Sequence, residues 1–105
     1  MFITFNNKFI RTICENIEES KVNFGEEVAH KLKSRLADIS AIKTLDDLII
    51  GNLRKSENKL LTYEIDLTEN YIIEFKVGHV TTPVNNNGVI DKSKVSRIKI
   101  LDIRK

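Results

Sequence analysis

The stretch LLTYEIDLTENYIIEFKV, residues 60–77, decides the fold that this sequence predicts. Leu61, Tyr63, Ile65 and Leu67 alternate with polar residues, and the pattern repeats in YIIEFKV at residues 71–77. Strict alternation is typical of a strand with one face against a core. Because only residues 68–70 separate the two runs, the sequence predicts an antiparallel β-hairpin.

The chain before the hairpin has the period of helices. Residues 1–5 predict a short strand, and Asn6 or Asn7 offers a side-chain cap for a first helix. Apolar stripes mark two main helices, through Phe9, Ile10, Ile13, Cys14 and Ile17 in the first and Val28, Leu32, Leu36 and Ile39 in the second. Thr44 and Asp47 have capping-box spacing, which predicts a shorter third helical turn.

The chain after the hairpin predicts a long loop and one more strand. Residues 78–94 are rich in Gly, Pro, Asn and Thr, and residues 95–103 resume the strand pattern. Helices early and strands late indicate an α+β fold, in which the two N-terminal helices cover one face of a small, mainly antiparallel four-stranded sheet. At 105 residues the chain fits one domain, residues 1–105.

Composition excludes several classes of protein. Hydrophobic residues make up 41% and charged residues 30%, as in a globular domain, and no apolar run is long enough to span a bilayer. Cys14 is the sole cysteine, so neither an intrachain disulfide nor a cysteine-based zinc site is expected. Glycine-rich phosphate loops, HExxH and GxSxG are absent. We expect a cytoplasmic protein that uses no cofactor.

Basic side chains gather in the C-terminal half. From Lys92 to Lys105 the chain has six basic residues and one acid, Asp102. The basic residues form three groups: one before the hairpin, one at the end of its second strand and one on the last strand. We expect these groups to converge on the uncovered sheet face, where they suit binding of a phosphate chain. They are Arg54, Lys55, Lys59, Lys76, Arg97, Lys99, Arg104 and Lys105. The alternative is a merely solvated basic face.

Other titratable residues are interpreted as ordinary. Glu64, Asp66 and Glu74 occupy the polar positions of the hairpin strands, where alternation alone places solvated side chains, although paired carboxylates could share a proton or hold a metal. His30 and His79 are expected to be surface or packed residues rather than bases.

Three segments resemble the RelE/ParE superfamily of bacterial toxins, and within it the HigB-like plasmid maintenance killer group. They are AHKLKSRLADISAIKTLDDL, YEIDLTENYIIEF and PVNNNGVIDKSKVSRIKILDI. The resemblance covers nearly the whole chain, but the motifs that are catalytic in the family match poorly. Leu53 stands in place of a His, Lys59 in place of an Arg and Ile72 in place of another Arg, and the sequence ends at Lys105 where the family continues to an acid-Tyr-His ending.

The resemblance implies a toxin that cleaves mRNA on the ribosome without a metal and is neutralised by a cognate antitoxin, a helix-turn-helix DNA-binding protein. On that reading Lys59 and Arg104 are catalytic, and the RNA-binding residues are Arg54, Lys55, Lys76, Arg97, Lys99 and Lys105. Two alternatives stay open at this point. The chain is a catalytically silent module that binds an antitoxin or RNA, or it belongs to the branch that acts on DNA gyrase.

Overall fold

The structure, a computed structural model, describes residues 1–57 and 59–105 of the chain. The fold is α+β, as the sequence predicts. Three α-helices follow the first strand, and four strands follow the helices. In chain order the elements are β1 (Phe2–Phe5), α1 (Lys8–Glu15), α2 (Ile17–Phe24), α3 (Glu26–Ala41), a 3-10 turn (Leu45–Asp47), β2 (Arg54–Lys55), β3 (Thr62–Asp66), β4 (Ile72–Val77), a second 3-10 turn (Lys92–Lys94) and β5 (Arg97–Arg104).

The strands form one five-stranded mixed sheet in the order β1-β5-β4-β3-β2. The predicted hairpin is confirmed, since β3 pairs antiparallel with β4 and Tyr63 lies opposite Phe75. The predicted number of four strands is wrong, because the sheet has five, whereas the prediction of a mainly antiparallel sheet agrees with three of the four pairings. Arg54 and Lys55 add an edge strand beside β3, and β1 pairs parallel with β5, whereas the other three pairings are antiparallel.

The helical part also differs from the prediction of two main helices. Asn16 adopts an extended conformation (φ −114°, ψ 109°), so the first predicted helix divides into α1 and α2. The Asn16 side-chain oxygen accepts hydrogen bonds from the backbone N–H groups of Glu18 and Glu19, at 3.0 and 3.2 Å. Asparagine favours such a cap over a helix interior, which explains the break. Helical turns are not confined to the N-terminal part either, because the Lys92–Lys94 turn lies in the predicted loop.

The apolar residues of the sheet and helices meet in one core. It joins Ile10, Ile13, Leu32 and Ile39 of the helices to Ile65, Ile73, Phe75, Ile98 and Ile100 of the strands. We call the sheet face that carries these residues the covered face. The other face, called the open face, carries the alternate residues of the same strands, among them Glu64, Glu74, Lys76 and Lys99. Among the described residues, no helix is both long and apolar enough to cross a membrane.

Candidate functional site: a buried glutamate under two cations

Glu74 lies on the open face of β4 and is fully buried, at 0% exposure. One carboxylate oxygen accepts a hydrogen bond from the Lys59 ammonium at 2.6 Å, and the other accepts two from the Arg104 guanidinium, at 3.2 Å from Nε and 3.0 Å from Nη2. The two residues predicted to be catalytic therefore meet on a single carboxylate. The side chains of Lys59 and Arg104 are themselves 56% and 38% exposed, so both cations that contact Glu74 are partly in contact with solvent.

A β-bulge places Arg104 in this position. Glu74 pairs with Asp102, whereas the next residue, Phe75, pairs with Ile100, so Leu101 is an extra residue of β5. Such an insertion resets the alternation of side chains along the strand. Without it Arg104 would share the face of Ile98 and Ile100, in the core; with it Arg104 lies on the open face, beside Glu74.

Lys59 reaches Glu74 from the β3 side of β4, opposite to β5, which carries Arg104. The segment that carries Lys59 connects β2 to β3 and ends at Leu61, which adopts φ +58°, a conformation that residues other than glycine and asparagine rarely hold. The Ser56 N–H donates to the Thr62 carbonyl at 2.7 Å and closes the base of the connection. The Lys59 ammonium contacts a carboxylate on a strand fifteen residues further along the chain.

A second layer of ion pairs surrounds the Glu74 carboxylate. Arg104 also contacts Glu64 at 3.0 Å, and Arg54 contacts Glu64 at 3.4 Å and Asp66 at 3.0 Å. We call these residues together the Glu74 cluster: Arg54, Lys59, Glu64, Asp66, Glu74 and Arg104. Three cations face three carboxylates, so the formal charge of the cluster is zero.

The environment keeps Glu74 ionised. Burial alone would raise the pKa of its carboxyl group, but the hydrogen bonds and charges of Lys59 and Arg104 outweigh burial and lower the pKa below its ordinary value of 4.5. The hydrogen bonds to Glu74 in turn raise the pKa of the Arg104 guanidinium. At neutral pH the site therefore holds a carboxylate in direct contact with two cations.

The expectation that Glu74 is an ordinary solvated strand residue is wrong, and the sequence contained a signal against it. That signal is the hairpin register, which puts Glu64 directly opposite Glu74. The structure adds Asp102 opposite Glu74 on the other side, in a register that depends on the bulge. Like charges directly opposite each other destabilise a sheet unless cations intervene. A row of three acids across three strands thus requires the cations that the cluster supplies.

The remaining predicted RNA-binding residues are distributed more widely. Lys76 and Lys99 lie opposite each other on the open face, and the Arg97 guanidinium lies 5.2 Å from the centre of the Phe2 ring. Lys55 is opposite Tyr63 in the register, which puts it on the other face from Arg54. The Lys105 ammonium lies 5.6 Å from the centre of the Tyr71 ring. The structure thus brings Arg54, Lys59 and Arg104 together, places Lys76 and Lys99 beside them, and leaves Lys55 and Lys105 apart.

Within residues 1–57 and 59–105, no group of three or more His, Cys, Asp or Glu side chains is arranged to hold a metal ion. The acids of the Glu74 cluster are instead bound to cations of the chain itself. In comparisons with known proteins, no family model, no curated protein and no solved structure matches this chain.

Proposed function

We propose that the chain is the toxin of a type II toxin–antitoxin pair, acting in the cytoplasm as a metal-independent endoribonuclease on mRNA bound to the ribosome. The observation that carries the proposal is the contact of Lys59 and Arg104 with the one carboxylate of Glu74. A carboxylate flanked by an ammonium and a guanidinium supplies a base and two phosphate ligands, which are the groups that metal-free RNA cleavage requires.

Each group has a role in that reaction. Glu74 accepts the proton of a ribose 2′-hydroxyl, and the 2′-oxygen attacks the adjacent phosphorus. The bond from phosphorus to the 5′-oxygen breaks, the departing oxygen takes a proton from solvent, and the products are a 2′,3′-cyclic phosphate and a 5′-hydroxyl end. Lys59 and Arg104 bind the phosphate oxygens, where negative charge increases in the transition state. DNA lacks the attacking hydroxyl and is not a substrate.

Binding of the substrate itself makes Glu74 a stronger base. In the free protein Lys59 and Arg104 lower the pKa of the Glu74 carboxyl. A phosphate that arrives at the open face competes for both cations, which are partly exposed and flexible, whereas Glu74 is held by β4. When the cations move to the phosphate, the carboxylate is uncovered and its pKa rises toward the range that suits a general base.

Induction in bacteria tests this function. Wild-type chain is expected to arrest growth and to produce new mRNA 5′ ends, and Glu74→Gln and Lys59→Met are expected to abolish both effects. Lys33→Met on the exposed side of α3 is the matched control and is expected to behave as wild type. If wild-type chain is produced in soluble form and no new 5′ ends are found, the proposal is wrong.

The antitoxin is proposed to be a helix-turn-helix DNA-binding protein whose acidic segment covers the open face. Among the described residues, no acid lies within ion-pair distance of Lys76, Arg97 or Lys99, which leaves these cations available to acidic side chains of a partner. An association of this kind weakens as salt increases. An affinity that is unchanged between low and high salt would contradict this mode of neutralisation.

One observation favours a second candidate, a module on the same fold that binds its partner without cleaving RNA. The Glu74 cluster is formally neutral and Glu74 is fully buried, as in a network that only stabilises the sheet. On this alternative the chain copurifies with an antitoxin or RNA, and no variant changes RNA integrity. Cleavage by wild type that Lys59→Ala abolishes would exclude it.

A further inference from the structure

A second cationic site lies next to the Glu74 cluster on the open face. It is a cavity of about 260 Å³, lined by Lys76, Lys99, His79 and Thr82 together with Leu61 and the Gly78 backbone region. We call it the Lys76–Lys99 pocket. It shares β4 and β5 with Glu74 and Arg104 but contributes no residue to the ion pairs of the Glu74 cluster.

The two lysines face each other without a carboxylate between them. Lys76 and Lys99 are direct cross-strand neighbours, and Thr62 and Thr4 are the next residues of the same row across the sheet. In the described part of the chain, no acid lies within ion-pair distance of either ammonium group. Like charges directly opposite each other cost stability. An anion bound between them removes that cost, so the pair favours an anionic ligand.

His79 adds an oriented donor at the rim of the pocket. Its Nε2 atom accepts a hydrogen bond from the Ser96 N–H at 3.0 Å, so in the neutral ring the proton lies on Nδ1, which is left as a donor. Gly78 holds this rim close to β5, because its N–H donates to the Arg97 carbonyl at 2.8 Å and a Cβ atom would lie 3.1 Å from the Ile98 backbone. Two lysines and a histidine whose ring is fixed by this hydrogen bond thus line one cavity.

We infer that the Lys76–Lys99 pocket binds the RNA backbone phosphate next to the one cleaved at Glu74. The identity of the ligand as RNA rests on the proposed function. Lys76 is two residues beyond Glu74 on the same strand, about 6.6 Å along it. That separation is comparable to the distance between neighbouring phosphates of an extended RNA strand. The pocket therefore fixes which phosphodiester lies over Glu74, a positioning role distinct from the chemistry.

Binding of a single-stranded oligoribonucleotide with 2′-O-methyl riboses tests the inference, because this probe resists cleavage whether or not the chain is an enzyme. Its affinity is measured by fluorescence anisotropy at several salt concentrations. The K76Q/K99Q double variant is expected to bind roughly tenfold more weakly, and the slope of log K against log salt is expected to fall by about 0.7 for each phosphate that the variant no longer binds. The K33Q variant on α3 is the control and keeps the wild-type affinity and slope.

The outcomes separate this inference from the proposed function. A lower affinity and slope in the double variant support the pocket even if wild type cleaves no RNA. Unchanged affinity and slope overturn the pocket even if wild type does cleave. If the double variant loses binding to oligo-glutamate but keeps its binding to RNA, the pocket belongs to an acidic protein segment and the inference is also overturned. Misfolding does not obscure the result, because removal of opposed like charges is expected to raise the melting temperature of the double variant.

Discussion

Replacement of Glu74 by glutamine removes the one negative charge beneath Lys59 and Arg104 and leaves the shape of the side chain nearly unchanged. Three N–H···O contacts to the carboxylate, of 2.6, 3.0 and 3.2 Å, are no longer made to a charged group. Leaving a fully buried cation without its partner would lower the free energy of unfolding by about 3–5 kcal/mol. Lys59 and Arg104 are partly exposed and can turn to water, so we expect a smaller loss, about 2 kcal/mol in the free energy of unfolding at pH 7.

The pH dependence of that loss identifies its cause. The pKa of the Glu74 carboxyl is lower in the folded chain than its ordinary value of 4.5. A lowered pKa contributes stability that is fully present above the ordinary value and disappears as pH falls through the folded-state value. The difference between wild type and Glu74→Gln should therefore be largest at neutral pH. It should shrink as pH falls below about 4.5, where the carboxyl of the unfolded chain becomes protonated, and disappear once pH is below the lower pKa of the folded chain, where folded Glu74 is protonated and resembles glutamine.

Urea unfolding at pH 7 and at successive steps below pH 4.5 measures the difference directly. At pH 7 a loss of about 2 kcal/mol corresponds to a melting temperature lower by about 8 °C for a chain of this size. Glu69→Gln is the matched control, since Glu69 is exposed in the turn between β3 and β4, and should change stability by less than about 0.5 kcal/mol. A difference between wild type and Glu74→Gln that is the same at pH 7 and pH 3 would refute the reasoning.

Three further predictions test other parts of the structure. Asn16→Ala removes the cap of α2 and should cost about 1 kcal/mol in urea unfolding; no loss would mean that the cap is unimportant. Gly78→Ala introduces a Cβ atom 3.1 Å from the Ile98 backbone and should cost about 1–3 kcal/mol, and a variant as stable as wild type would contradict the close strand approach. Burial, with a smaller effect of Glu15, raises the pKa of the Cys14 thiol to about 12, so iodoacetamide at pH 8 should modify folded chain about a thousandfold more slowly than unfolded chain. Equal rates would show that Cys14 is accessible.

The β3–β4 hairpin and the first 3-10 turn were predictable because each depends on residues that are close together in the sequence. Alternation over residues 60–77 fixed both strands of the hairpin and the faces of Tyr63 and Phe75, and the short turn fixed their pairing. The 3-10 turn at Leu45–Asp47 was predictable in the same way. There the Asp47 carboxylate accepts hydrogen bonds from the backbone N–H and hydroxyl of Thr44, both at 3.3 Å.

The parts that escaped prediction depend on contacts between distant residues. β1 pairs with β5 across most of the chain, for example Phe5 with Ile100, and no local pattern distinguishes a parallel edge strand from an antiparallel one. The extra residue in β5 likewise decides the face of Arg104 without leaving a repeat that could be recognised. The break at Asn16 has a local signal in its capping side chain, but the apolar stripe continues into Ile17 and predicts an unbroken helix.

The candidate site was likewise predictable only in part. Convergence of Lys59 and Arg104 was expected from the layout of the sheet, and the structure brings them onto one carboxylate. The burial of the carboxylate is not predictable in this way, because alternation along β4 identifies the polar face but not what covers it. The cover of Glu74 comes from residues fifteen and thirty positions away in the chain. The family resemblance stays a prediction.

Incubation of a defined mRNA with purified chain and translating ribosomes tests the central claim most directly. We predict site-specific cleavage that leaves 2′,3′-cyclic phosphate and 5′-hydroxyl ends. A metal chelator that is added after the translation complexes have assembled should not change this cleavage. Glu74→Gln should reduce the rate by about 10²–10⁴-fold, as expected for loss of a general base. Intact mRNA with the wild-type chain, or cleavage that proceeds equally fast with Glu74→Gln, would contradict this claim.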